Sequence, residues 1–196
     1  MKKTLTERIE ALKAERNAVI LAHNYQVGEV QDLADYTGDS LGLAQQARET
    51  DADVIVFCGV YFMAETAYIV NPERTVLLPD VNAGCPMARM IDAATVEELR
   101  DKYPNAVVVC YVNSTAEVKA ASDYCCTSAN AVQVVDSIPE DRTIIFVPDR
   151  HLGKWVGRQT RRPIVTHAGY CPTHVRITPD ALTQLNVSAV SVNNDG

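Results

Sequence analysis

Glu29-Val30-Gln31-Asp32-Leu33-Ala34-Asp35-Tyr36-Thr37-Gly38-Asp39-Ser40 and Glu117-Val118-Lys119-Ala120-Ala121-Ser122-Asp123-Tyr124-Cys125-Cys126-Thr127-Ser128 are two copies of one pattern. Glu, Val, Asp, Tyr and Ser recur at matching places 88 residues further on, and Gln45 meets Gln133 at the same offset. Over so short a stretch, identities partly reflect the choice of register. Their setting makes them a repeat, because an apolar run precedes each copy, Val19 to Ala22 and Ala106 to Val112, and a helical stretch follows each.

Working outward, Thr6 to Glu15 reads as an amphipathic helix with Thr6 as N-cap and Ile9 and Leu12 on one face. Helical stretches are expected over 29–36, 40–49 and 61–70, and strands over 19–22, 54–57 and 75–78. Asn71-Pro72-Glu73-Arg74 turns the chain between the last two. The second copy has strands at 106–112, 143–147 and 164–165, and a last long helix opening at Asp149. Short apolar strands alternating with helices imply a parallel sheet covered on both faces. The fold class is therefore α/β: pseudo-symmetric repeats of a small three-layer αβα domain with a parallel sheet. The expected units are 1–92 and 93–180, with 181–196 as the start of a third.

Composition narrows the function classes. The 196 residues are 47% hydrophobic and 22% charged, which suits a chain that buries a core. Eighteen Lys and Arg against 25 Asp and Glu leave a net charge of -7, with the cations scattered, so nucleic acid is not an expected partner. The longest nearly apolar run, 54–64, falls far short of the ~18 residues that span a bilayer. Met1-Lys2-Lys3-Thr4-Leu5-Thr6-Glu7 leads into charged helix and not into an apolar signal core. No membrane association and a cytoplasmic location are expected.

Six cysteines, 58, 85, 110, 125, 126 and 171, show no secreted disulfide framework. Cys58 and Cys110 end apolar strands and read as core. Cys125-Cys126, aligned with Thr37-Gly38, read as small residues packing at a loop. Cys85 and Cys171 differ, because Ala83-Gly84-Cys85-Pro86 and Gly169-Tyr170-Cys171-Pro172 both follow the third expected strand of their unit, 86 residues apart. They are either incidental loop thiols or metal ligands. Two thiolates do not complete a zinc site or an iron–sulfur site, and a third repeat would bring another.

Polar residues collect just past the strands. His23-Asn24-Tyr25 follows the first strand, and Tyr111-Val112-Asn113 holds the corresponding place in the second unit. Each is either a capped loop or a small-ligand contact at the carboxyl end of a parallel strand. Ser40 and Ser128 stand at expected helix starts, as plain N-caps or as a pair of sites for a dianionic or phosphorylated substrate. Asp149-Arg150-His151-Leu152-Gly153-Lys154 offers cations either to solvent or to an anion. His174, three residues after Cys171, is either a fourth metal ligand or a substrate contact.

Six ordered motifs together resemble quinolinate synthase: His23-Asn24-Tyr25-Gln26, Gly38-Asp39-Ser40-Leu41, Asn82-Ala83-Gly84-Cys85, Tyr111-Val112-Asn113, Cys125-Cys126-Thr127-Ser128 with Asn130-Ala131, and Gly169-Tyr170-Cys171-Pro172-Thr173-His174. The resemblance implies three pseudo-symmetric α/β domains around a [4Fe-4S] cluster held by one Cys from each. It implies condensation of iminosuccinate (iminoaspartate) with dihydroxyacetone phosphate to quinolinate for NAD biosynthesis, with release of phosphate and two waters. Iminosuccinate would come from an L-aspartate oxidase or dehydrogenase, with channelling as one route. Cys85 and Cys171 become cluster ligands, and His23, Ser40, Tyr111, Val112, Asn113 and Ser128 become substrate contacts. Tyr25, Tyr111 and His174 become catalytic groups that position or protonate intermediates, while an open iron acts as Lewis acid.

The family's third domain opens with a strand and a His-Pro-Glu motif and later brings the third cysteine. Here Val187 to Val192 suits that strand, but Asn193 and Asp195 stand where His and Glu belong, and no third cysteine follows. A C-terminally truncated member is expected. A catalytically dead module that holds a dicarboxylate or phosphate is the alternative reading.

Overall fold

A computed structural model describes residues 4–184. The chain divides into two compact units between Cys85 and Pro86. The strand expected at Val187 to Val192, Asn193 and Asp195 lie outside the described residues, as does most of the expected third unit.

The first unit runs α1 (Leu5–Arg16), β1 (Ala18–His23), α2 (Gly28–Gln31), β2 (Tyr36–Gly38), α3 (Ser40–Glu49), β3 (Val54–Cys58), α4 (Tyr61–Val70) and β4 (Thr75–Leu77). The second begins with a 3₁₀ turn at Met87–Met90. It continues α5 (Ala93–Lys102), β5 (Ala106–Tyr111), α6 (Ala116–Ala120), β6 (Tyr124–Cys126), α7 (Ala131–Asp136), β7 (Thr143–Val147), α8 (Arg150–Thr160), β8 (Ile164–Thr166), α9 (Pro172–Val175) and α10 (Pro179–Gln184). The strands form two four-stranded sheets, β2-β1-β3-β4 and β6-β5-β7-β8, and every pairing is parallel.

Parallel strands need helical crossovers, and crossovers cover both faces. The second sheet shows this residue by residue. Val107, Val109, Ile144 and Phe146 pack on one face with Ala131 and Val135 of α7 and Val156 of α8. Val108, Cys110, Ile145 and Val147 pack on the other with Val96 of α5 and Val118 of α6. The apolar run of β5 thus feeds two cores by simple alternation. In the first unit β1 is buried from Val19 to His23, α3 buries Leu43 and Ala47, and α4 buries Phe62, Met63 and Ala67. This is the expected three-layer α/β architecture.

Two local expectations are corrected. The first helix is capped by Thr4 and not Thr6: the Thr4 side chain accepts from the Glu7 N–H at 3.2 Å, and the Glu7 carboxylate accepts from the Thr4 N–H at 2.7 Å. A Glu three residues on makes Thr4 the reciprocal cap. The helix expected over 29–36 is a single turn, α2, and its last residue, Tyr36, opens β2. β6 is its counterpart, so each sheet has four strands where three were expected. Both are three-residue edge strands, with Tyr36 and Thr37 exposed in one and Tyr124 and Cys125 in the other, so no apolar run announces them.

Candidate functional site

The repeat is built on one carboxylate per unit. Asp35 Oδ2 accepts from the Ile20 N–H of β1 at 2.8 Å, and Asp35 N–H donates to the Ile20 carbonyl at 2.9 Å. Asp123 does the same with Val108 of β5, at 2.7 and 3.0 Å. A cation from the preceding helix closes each carboxylate, Lys13 at 2.8 Å and Arg100 at 3.0 Å. The clasps hold β2 and β6 in register, which carries the loops after them to the carboxyl edge of each sheet.

That edge gathers almost every residue singled out above. Tyr25 follows β1, which ends at His23; Val112 and Asn113 follow β5, which ends at Tyr111; Ser40 follows β2, and Ser128 follows β6. With strand order 2-1-3-4, the connections leaving the first and third strands run in opposite directions, so a crevice opens at their carboxyl ends.

His23 is buried, and its Nδ1 accepts the Tyr25 N–H at 3.2 Å, leaving Nε2 to carry the proton of the neutral ring. Burial lowers its pKa from the ordinary histidine value, against the opposing pull of Asp39. The Tyr25 ring lies against it at a centroid distance of 4.5 Å and is otherwise 83% exposed. In the second unit the Tyr111 carbonyl accepts from Ser114 Oγ at 2.9 Å, and Val112 N–H donates to Cys126. Tyr111, Val112 and Asn113 are all half-buried.

The two serines are not equivalent caps. Ser40 is the first residue of α3, but Asp39 is the N-cap and accepts from Gly42 N–H at 2.7 Å. Ser128 is exposed and precedes α7 altogether, in a turn where Asn130 Oδ1 accepts from both the N–H and the hydroxyl of Thr127. Neither serine is spent as a cap.

The cysteine loops are equivalent in a way that spacing alone did not reveal. The Ala83 carbonyl accepts from the N–H of Tyr61, the first residue of α4, at 2.7 Å. The Gly169 carbonyl accepts from the N–H of Arg150, the first residue of α8, at 2.8 Å. In each unit the loop docks on the helix after the central third strand, and the cysteine stands two residues beyond the docking carbonyl. Both loops follow the fourth strand of their unit, not the third, because β2 and β6 were not foreseen. Gly169 makes the second docking tight, since a Cβ there would lie 2.6 Å from the Pro148 carbonyl oxygen. Cys85 and Cys171 are free and half-buried, and Cys171 is the N-cap position of α9, which carries the exposed His174. Among the described residues, no three His, Cys, Asp or Glu side chains form a set that holds a metal. Each unit thus presents one free thiol, the donor type an iron–sulfur cluster takes, with further ligands needed.

The remaining thiols separate by environment. Cys110 and Cys126 are core, and burial raises the thiol of Cys126 to about 12 and that of half-buried Cys58 above its usual value. Cys125 is exposed, which corrects the reading of it as a packed loop residue. The sequence reading also passed over Asp39, whose place beside His23 follows from the pairing of His23 with Gly38.

The family model for Quinolinate synthetase A protein matches residues 7–193. This chain belongs to the quinolinate synthase family. It is 58% identical over 181 residues to a quinolinate synthase of Dehalococcoides mccartyi strain CBDB1, 57% over 182 residues to one of Geobacter metallireducens, and 53% over 179 residues to one of Pyrobaculum aerophilum. These alignments cover 91–93% of this chain and 58–60% of the quinolinate synthases it resembles. Among the described residues no helix is long and apolar enough to cross a membrane.

Proposed function

We propose that this chain carries two α/β units of a quinolinate synthase that condenses iminosuccinate with dihydroxyacetone phosphate in NAD biosynthesis. The protein works in the cytoplasm with iminosuccinate supplied by an L-aspartate-oxidising enzyme. The matched docking of the Cys85 and Cys171 loops carries the reading, since it sets one free thiol at the same place in each unit. Those two thiols are the residues of this chain that hold a [4Fe-4S] cluster, with a further cysteine from outside the sequence. When bound, the cluster supplies an open iron as Lewis acid.

The chain's own residues do the rest. His23, neutral because it is buried, offers its Nε2 proton to a substrate oxygen while its Nδ1 stays on the backbone. Ser40 and Ser128, neither occupied as a helix cap, bind substrate oxygens together with Tyr111, Val112 and Asn113. The exposed Tyr25, backed by His23, and the half-buried Tyr111 transfer protons during loss of water. His174 on α9 positions an intermediate beside Cys171.

Anaerobic reconstitution with iron and sulfide, followed by a quinolinate assay, tests the reading. It is run on the chain alone and on the chain completed with the Dehalococcoides sequence it does not span. Cluster absorbance and quinolinate from the completed chain are expected; a folded, completed chain with neither overturns the assignment. The second reading, a dead module for a dicarboxylate or phosphate, predicts calorimetric binding of malate without iron and no quinolinate under any condition.

A further inference from the structure

Two thiols outside the proposed active site face each other across adjacent strands. Cys110 of β5 and Cys125 of β6 are register partners in the parallel pair, so their side chains leave the same face of the sheet, and the Cys110 thiol donates to the Tyr111 carbonyl at 3.3 Å. They are unlike in every other respect. Cys110 lies fully buried in the core facing α5 and α6, beside the hydroxyls of Ser114 and Ser122, and the neighbouring Cys125 and burial raise its pKa. Cys125 is exposed at the sheet edge, where the neighbouring Cys110 and the charge of Lys119 lower its pKa to about 7, against the effect of burial. An accessible thiolate backed by a second thiol is the arrangement of a peroxide-sensing pair. Neighbouring strands lie about 4.8 Å apart, inside the ~4.4–6.8 Å range of Cα separations that a disulfide spans.

We propose that Cys110 and Cys125 form a redox modification site that takes hydrogen peroxide and closes to a disulfide between β5 and β6. The Cys125 thiolate attacks one peroxide oxygen; the O–O bond breaks, an S–O bond forms, and the departing hydroxide leaves as water after protonation. The Cys110 sulfur then attacks the Cys125 sulfur. An S–S bond forms, the S–O bond breaks, and the leaving hydroxide takes the Cys110 proton as a second water. Two thiols are oxidised and one peroxide is reduced. A dithiol reductant reverses the change. Cys126 takes no part, because its side chain packs in the opposite core with Val107 and Val109. The crosslink joins β5, which ends at Tyr111, to β6, and the loops after these strands carry Asn113 and Ser128.

The test treats the chain with one equivalent of hydrogen peroxide, blocks the remaining thiols, and maps tryptic peptides by mass spectrometry. Cleavage after Lys119 separates the two cysteines. A linked pair of peptides lighter by two hydrogens is expected, reverting with dithiothreitol, together with a fall in titratable thiols from six to four per chain. Cys126→Ala keeps the linkage, and Cys110→Ala stops at a Cys125 sulfenic acid that dimedone captures. The proposal is overturned if wild-type Cys125 accumulates as sulfenic or higher acid with no linkage to Cys110, or if it links to Cys126 instead. None of these readouts depends on iron or on quinolinate formation.

Discussion

Asp35 and Asp123 each close a backbone pair and hold a cation, so the same carboxylate is hydrogen-bonded and ion-paired at once. Removing one leaves a strand N–H without an acceptor, a loss of about 1–3 kcal/mol. Asp123→Ala is expected to lower unfolding stability by roughly 2 kcal/mol in urea melts, and Asp123→Asn, which keeps an acceptor, by less. His23 gives a pH signature. Its folded-state pKa lies below the ordinary 6.5, so the unfolded chain binds more protons on acidification. The stability it confers is present above that value and is lost as pH falls through the folded pKa. His23→Gln is expected to flatten the acid limb of a Tm-against-pH curve below about 6.5, and an unchanged limb would show that the imidazole is not held neutral. At this scale the sequence named His23 and Tyr25 from position alone, but not the clasp, because an Asp before a Tyr has no apolar or cap signature to mark it.

Among the elements, the long buried strands were legible because both faces are covered and the run is continuously apolar, as in Ala106–Tyr111. β2 and β6 were not, since Tyr-Thr-Gly and Tyr-Cys-Cys are held by register to a neighbour and by the clasp, which are tertiary causes. The same omission hid the Cys110–Cys125 pairing. α3, expected over 40–49, is found at Ser40–Glu49, and its cap is Asp39, which removes the plain N-cap alternative for Ser40. α8 lies so close to its sheet that a Cβ on Gly153 would come within 2.8 Å of Thr166 Cγ2 and 3.0 Å of Phe146 Cδ1. Both neighbours are short or buried and have little room to move. Gly153→Ala is expected to destabilise by about 1–2 kcal/mol in thermal or urea melts despite alanine's better helix propensity, because overpacking outweighs that gain.

For the whole molecule, the two units repeat a topology, a clasp and a docked cysteine loop, and the cysteines are sorted by that repetition. Cys85→Ala or Cys171→Ala in the completed protein is expected to abolish iron retention by metal analysis. Cys58→Ala is expected to keep the iron and cost roughly 1 kcal/mol of packing. Equal iron in all three would remove the ligand assignment. The spacing of 88 exposed the duplication, and the motifs exposed the family. The docking of Ala83 and Gly169 on helix starts was invisible beforehand, because a backbone carbonyl leaves no mark on residue type.

The clasps also act as a ruler. Ile20 to Asp35 and Val108 to Asp123 are both 15 residues, and β1 with β5 and β2 with β6 keep the 88-residue spacing. Past the clasp the spacing becomes 89 for β3 with β7 and for β4 with β8, and 86 for the two cysteines. Length has drifted only where no side chain measures it. Between the pinned residues the chain is free to change its letters but not their number, so an inserted residue there should be far less tolerated than one in the connections after α3 or β4.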